Sequence, residues 1–214
     1  MPMSMSARVL VLRGYDAGEY DRNLALYVSG LGRVFVLAKG LNSPKSSRKA
    51  IVQSGNILKA QLTEFHGKYL LQEATLEHSV DWYGSSASLA GVIFHVLELI
   101  DVFAAGFENT DQLISMYKDF TFAFRMNPRQ VMVRVFELKI LEKLGFFPSA
   151  QLLSGFRENA ELVKFLRELV SLNFMDVDKI EYETVIYRRI EVFLQKYLEH
   201  TAERKLHSQR YFLN

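Results

Sequence analysis

The chain contains no cysteine among its 214 residues. That excludes disulfides and every thiolate metal site, four-cysteine zinc modules included. Its five histidines, His66, His78, His95, His200 and His207, include no pair spaced one helical turn apart, the usual histidine route to a metal. A long uncharged apolar run is missing as well. The most hydrophobic window, residues 87–107, carries His95, Glu98 and Asp101 three apart on one helical face. A bilayer would have to bury all three at considerable cost, so a core helix with one wet edge is expected instead. Met1 to Arg8 lacks the apolar centre of a signal peptide, and a cytoplasmic protein is expected.

Enzymatic motifs are equally scarce. The segment Gly40 to Ser46 superficially resembles a phosphate-binding loop, but Lys45 stands where the second glycine is needed and Pro44 precedes it. No helix evidently follows, so nucleotide hydrolysis is rejected. Ser43, Ser46 and Ser47 have no recognisable His/Asp partners in the sequence. Neither a catalytic residue, a resident metal nor a cofactor is expected.

One further absence is local. From Arg22 to Thr63 there is no Asp or Glu, while seven basic residues occur: Arg22, Arg33, Lys39, Lys45, Arg48, Lys49 and Lys59. Such a stretch sets up a positive field whatever fold carries it. Inside it, the apolar segment Val34–Ala38 feeds a polar loop, Gly40 to Lys49, expected to be mobile and suited to gripping a polyanion. Residues 1–80 hold ten basic and six acidic side chains, against sixteen and eighteen in residues 81–214. A basic front half and a slightly acidic back half suggest two tasks.

The periodicity divides the chain at the same place. Short β segments are expected at Arg8–Arg13, Leu24–Val28, Arg33–Lys39, Asn56–His66 and Tyr69–Leu76, with glycine turns between them. Leu58, Ala60 and Leu62 alternate with Lys59, Gln61 and Thr63, the signature of a half-buried strand. Five short strands suggest a small closed barrel; an oligonucleotide-binding (OB) barrel is the commonest solution and SH3-like barrels stay open. Tyr15, Tyr20, Tyr27 and Phe35 are interleaved with Arg13, Arg22 and Arg33, but without the register their facing is undetermined. Beyond Ser85 the period becomes helical. Helices are expected over Ser86–Ala105, Thr110–Met126, a third from an Asn127 cap and Pro128 to Leu144, a fourth from Asn159 or Glu161 to Leu172, and a fifth over Glu181–Glu203. The class is therefore α+β and multidomain: an OB barrel at 1–80 and an all-helical domain at 81–214.

Gly18-Glu19-Tyr20-Asp21-Arg22, Gly32 to Gly40 and Pro44-Lys45-Ser46 resemble the N-terminal signature of the bacterial recombination-mediator family RecO. Arg134 to Leu138 through Leu144-Gly145-Phe146, and Tyr197 to His200 through Lys205 to Phe212, resemble that family's later helices and tail. The resemblance implies DNA repair and recombination in the RecF pathway. It implies binding of single- and double-stranded DNA, annealing of complementary strands, and assisted loading of the RecA recombinase. The implied partners are RecR and the acidic, hydrophobic tail of the single-stranded-DNA-binding protein (SSB). Arg33, Lys39, Lys45, Arg48 and Lys49 are the expected phosphate contacts, and Arg134 the expected contact for the SSB tail. Many family members carry a four-cysteine zinc module after the Leu-Gly-Phe position; this chain has no cysteine and no zinc is expected. An RNA-binding, translation-associated OB protein and a protein-only adaptor are the alternatives.

Overall fold

The computed structural model describes residues 3–80, 87–106, 109–147, 160–181 and 183–208. Five strands, β1 (Met3–Asp16), β2 (Arg22–Val28), β3 (Gly32–Ala38), β4 (Ile57–Phe65) and β5 (Lys68–His78), close into a barrel in the order β1-β2-β3-β5-β4. Every pairing is antiparallel except β3 with β5, which is parallel and joins Val36 to Tyr69 and Leu37 to Leu70. That order is the OB arrangement. The expected strands are all present, but β1 is much longer than Arg8–Arg13. It pairs with β4 along its first half and with β2 along its second, and a bulge between Val11 and Arg13 allows the bend. Alternate residues fill the barrel: Val9 and Val11, Leu24 and Leu26, Val36 and Ala38, Leu58 and Leu62. Leu41 and Val52, from the β3–β4 connection, join the same core.

Five helices are assigned among the described residues: α1 (Ala87–Phe103), α2 (Thr110–Met126), α3 (Gln130–Lys143), α4 (Ala160–Ser171) and α5 (Thr184–Thr201). None is long and apolar enough to cross a membrane. The third starts later than expected. Asn127 does not cap it, because its side-chain amide is bound to Asp178, which also pairs with Arg129 at 3.1 Å. Asp178 lies in a short 3-10 turn, Phe174–Lys179, that periodicity did not disclose. Residues 148–157 of the expected loose stretch, the Asn159 start of the fourth helix and the tail beyond Ser208 lie outside the described residues.

By internal contacts the chain forms two compact units. One comprises residues 1–86 with 100–118, the other residues 87–99 with 119–214. In the first unit, Arg33 N donates to Ala105 O and Gly30 N to the Thr110 hydroxyl. Arg8 donates to Glu77, at 2.7 Å, and to Ser115. Arg8 above all, helped by Lys118, holds the Glu77 carboxyl below the ordinary carboxylate range. Gly32 sits at φ +75°, and a Cβ there would lie 2.7 Å from Ala105 O.

In the second unit, Phe120, Phe136 and Phe174 pack ring against ring at 5.1 and 5.5 Å. The wet edge expected on α1 is dry. His95 is fully buried, its Nε2 2.8 Å from Glu137 Oε1 and its Nδ1 2.9 Å from Ser208 Oγ. The Ser208 hydroxyl donates to Glu98, so towards His95 Nδ1 it accepts. Arg134 is buried too, 1% exposed, with its guanidinium 3.1 Å from Glu137. The Arg134 guanidinium and the His95 ring thus both face Glu137 inside the unit, and Glu98 accepts from the His207 and Ser208 amides. Burial opposes the charge on Glu98. The Ser208 hydroxyl and these amides outweigh it, leaving the pKa below its usual value. The stabilisation is complete above the unfolded carboxylate pKa of about 4.3 and is lost as pH falls through the depressed folded value.

Two substitutions check this packing. Arg134→Ala removes the guanidinium from a buried ion pair, leaving Glu137 with His95 as its neighbour, and should cost about 3–5 kcal/mol in urea unfolding. Gly32→Ala combines a left-handed backbone with a clash against a carbonyl and should cost at least about 1–3 kcal/mol in the same measurement.

Candidate nucleic-acid interface

Closing the barrel fixes which side chains of β3 leave it. Val36 and Ala38 are buried in the core with Val34 packed against them, so Arg33, Phe35, Leu37 and Lys39 face outward. The register extends this outer face sideways. Phe35 pairs with Ala25, which pairs with Arg13; Leu37 pairs with Asn23, which pairs with Tyr15. Phe35 and Tyr15 are each 53% exposed and Tyr20, in the β1–β2 loop, is 47% exposed. Tyr27 is fully buried and burial pushes its hydroxyl pKa far up, so it takes no part in this surface. The aromatic facing that the sequence left undetermined is therefore three exposed rings and one, Tyr27, that shares the side of Arg33 yet is buried.

The loops beside this face are tied together. Asp21 accepts from Gly40 N at 2.7 Å, Asn42 N donates to Tyr20 O, and the Asn42 amide donates to Asp16. Gly40 makes the turn out of β3 at φ +64°. The basic loop is not the free segment expected. It contains a 3-10 turn, Ser47–Ala50, and Arg48 clasps it to the barrel by donating to the carbonyls of Leu71, Gln72 and Lys39 at 2.8–3.0 Å.

The expected contact residues separate by this geometry. Lys39, Lys45 and Lys49 are exposed, and no described carboxylate pairs with them. Arg33 lies beside Phe35, its guanidinium carbon 5.7 Å from the ring centroid, and is bound to Asp101 through the side chain at 3.2 Å and the carbonyl at 2.9 Å. Arg13 reaches the same carboxylate at 3.1 Å. Arg48 is engaged with main-chain oxygens. Arg134 belongs to the other unit and is interior there. Arg13 and Tyr15 were not singled out from sequence as contacts, because only the bulge in β1 brings them onto the same face as Phe35. Among the described residues no group of three metal-ligating side chains comes together.

The face thus combines exposed rings, exposed ammonium groups and a fixed backbone frame. On an OB barrel that combination suits stacking of bases with cations beside the phosphates. Comparison with known proteins points the same way. Residues 3–80 match the family model for the recombination protein O N terminal domain. The chain is 28% identical over 162 residues to the DNA repair protein RecO of Heliobacterium modesticaldum, covering 73% of this chain and 57% of that protein. It is 25% identical over 142 residues to the RecO protein of Pelotomaculum thermopropionicum, covering 66% and 56%. For that of Acetivibrio thermocellus the figures are 22% over 143 residues, 65% and 56%. The match spans a little over half the length of these curated relatives. Residues 3–80 thus match the RecO N-terminal domain, and the chain is similar, at 22–28% identity, to proteins named DNA repair protein RecO.

Proposed function

We propose that this protein works in DNA repair by binding single-stranded DNA across the outer face of β1–β3. The observation that carries the proposal is the outward stripe Arg33-Phe35-Leu37-Lys39, flanked by Tyr15 and the exposed loop lysines. Bases stack on Phe35 and Tyr15, and Lys39, Lys45 and Lys49 neutralise phosphates. Arg48 contributes charge but holds the loop in place. Arg13 and Arg33 share their charge with Asp101, so each adds less than a free cation. Neutralising two strands at once lowers their repulsion and lets complementary bases pair without an energy source, which is annealing without catalysis. On this reading the protein is a mediator in the RecF pathway. It also engages double-stranded DNA, RecR and the SSB tail, and assists RecA loading. Because Arg134 is buried, capture of the SSB tail requires other exposed residues of the helical unit.

The test is anisotropy of a labelled oligonucleotide across a salt series. Counterion release from single strands gives a log–log slope of about −0.7 per phosphate neutralised. Replacing Lys39, Lys45 and Lys49 together by Ala should reduce its magnitude by about 2 and slow annealing, with the thermal midpoint almost unmoved. Phe35→Ala should cost about 1–3 kcal/mol of binding without changing the slope. Arg48→Ala, by contrast, should lower stability. A slope unchanged in the folded triple variant would remove the loop from the interface.

A further inference from the structure

Helix α5 presents a second cationic face. Arg188, Val192, Lys196 and His200 form an i, i+4 row along it, and Phe193 and Tyr197 stand in the adjoining row; together they line an open groove. Arg188, Lys196 and His200 are exposed, and no carboxylate is among the described residues that line the groove. At 1.5 Å rise per residue, Arg188 and Lys196 are about 12 Å apart along the axis and Lys196 and His200 about 6 Å. The rings of Phe193 and Tyr197 are stacked at 5.6 Å with 20° between planes, and the Tyr197 hydroxyl donates to Phe146 O at 2.9 Å. The aromatic element is therefore held in position beside a regular row of cations.

We propose that this face of α5 is a second binding site for single-stranded nucleic acid, within the helical unit and separate from the barrel. The proposal rests on the chain being a DNA-binding protein. Cations at regular spacing beside half-buried rings are what a single strand needs, phosphates along one edge and bases on the other. A docked partner helix is less well served. Three of the four positions in the outer row are cationic or imidazole, so charge borders the apolar side chains Val185, Val192, Phe193 and Tyr197 along the whole groove. A second strand site supplies what annealing demands, two strands held on one chain.

The test counts strands. A labelled oligo-dT too short to span more than one site is titrated at low salt into the full chain, with concentrations well above the dissociation constant. The wild type should bind about two strands per chain. Arg188→Gln/Lys196→Gln and Arg188→Glu/Lys196→Glu should each bind about one, as should the Lys39/Lys45/Lys49 alanine variant, and the combination should bind none. Annealing should fall steeply in both α5 variants while the affinity of the first strand is retained. If the α5 variants still bind as many strands as the wild type, the proposal is overturned. It is also overturned if polyglutamate binds the wild type but not the α5 variants while the strand count stays unchanged. If instead the α5 variants lose a strand and the barrel variant does not, the α5 site stands and the barrel reading fails.

Discussion

The parallel pairing of β3 with β5 is the constraint on which the outer face depends. It is short, joining Val36 to Tyr69 and Leu37 to Leu70, yet it turns a five-stranded sheet into a barrel with an inside. Once an inside exists, side-chain alternation leaves β3 no freedom. Val34, Val36 and Ala38 go to the core, and Arg33, Phe35, Leu37 and Lys39 go to the surface. A one-residue slip would bury an arginine and a lysine in an apolar barrel and expose two valines. The exposed Phe35 is thus a consequence of closure, and the β1–β2–β3 register aligns it with Arg13 through Ala25 and aligns the next outward residue, Leu37, with Tyr15 through Asn23.

Arginine and lysine divide the work. The guanidinium, planar and rich in donors, is used where several acceptors must be met at once: Arg48 with three carbonyls, Arg33 and Arg13 with Asp101, Arg8 with Glu77, Arg134 with Glu137. The lysines near the barrel's outer face stay exposed. This separation explains how a strongly basic stretch can be rigid and still offer charge. The arginines fix the frame, and the lysines keep their hydration and their availability to a polyanion.

Much of this was legible in the sequence, and the parts that were not share a cause. The five strands showed in their alternation and glycine turns, and α2 showed in its full extent because its periodicity is clean. The β1 extension did not show, since residues 3–7, Met-Ser-Met-Ser-Ala, include no β-branched or aromatic side chain and pair with the distant β4. Asn127 carries a good cap signature, but a tertiary partner, Asp178, takes its side chain. His95, Glu98 and Asp101 read as a wet edge because their partners lie far away in sequence: Glu137, Ser208 and Arg33. Arg134 was misplaced for the same reason, a charge whose neutralising residues are invisible to local pattern. The acid-free stretch located the candidate interface, while only tertiary hydrogen bonds separated its exposed lysines from its clasping arginine.

The central claim is that the outer face of β1–β3 receives bases. It is tested most directly by photo-crosslinking a 5-iododeoxyuridine oligonucleotide to the full chain and mapping the adducts by mass spectrometry. Adducts on Phe35 and Tyr15, lost when the competitor is unlabelled single-stranded DNA, are the predicted result. Adducts confined to residues outside that face, with Phe35 and Tyr15 unmodified under saturating binding, would contradict it.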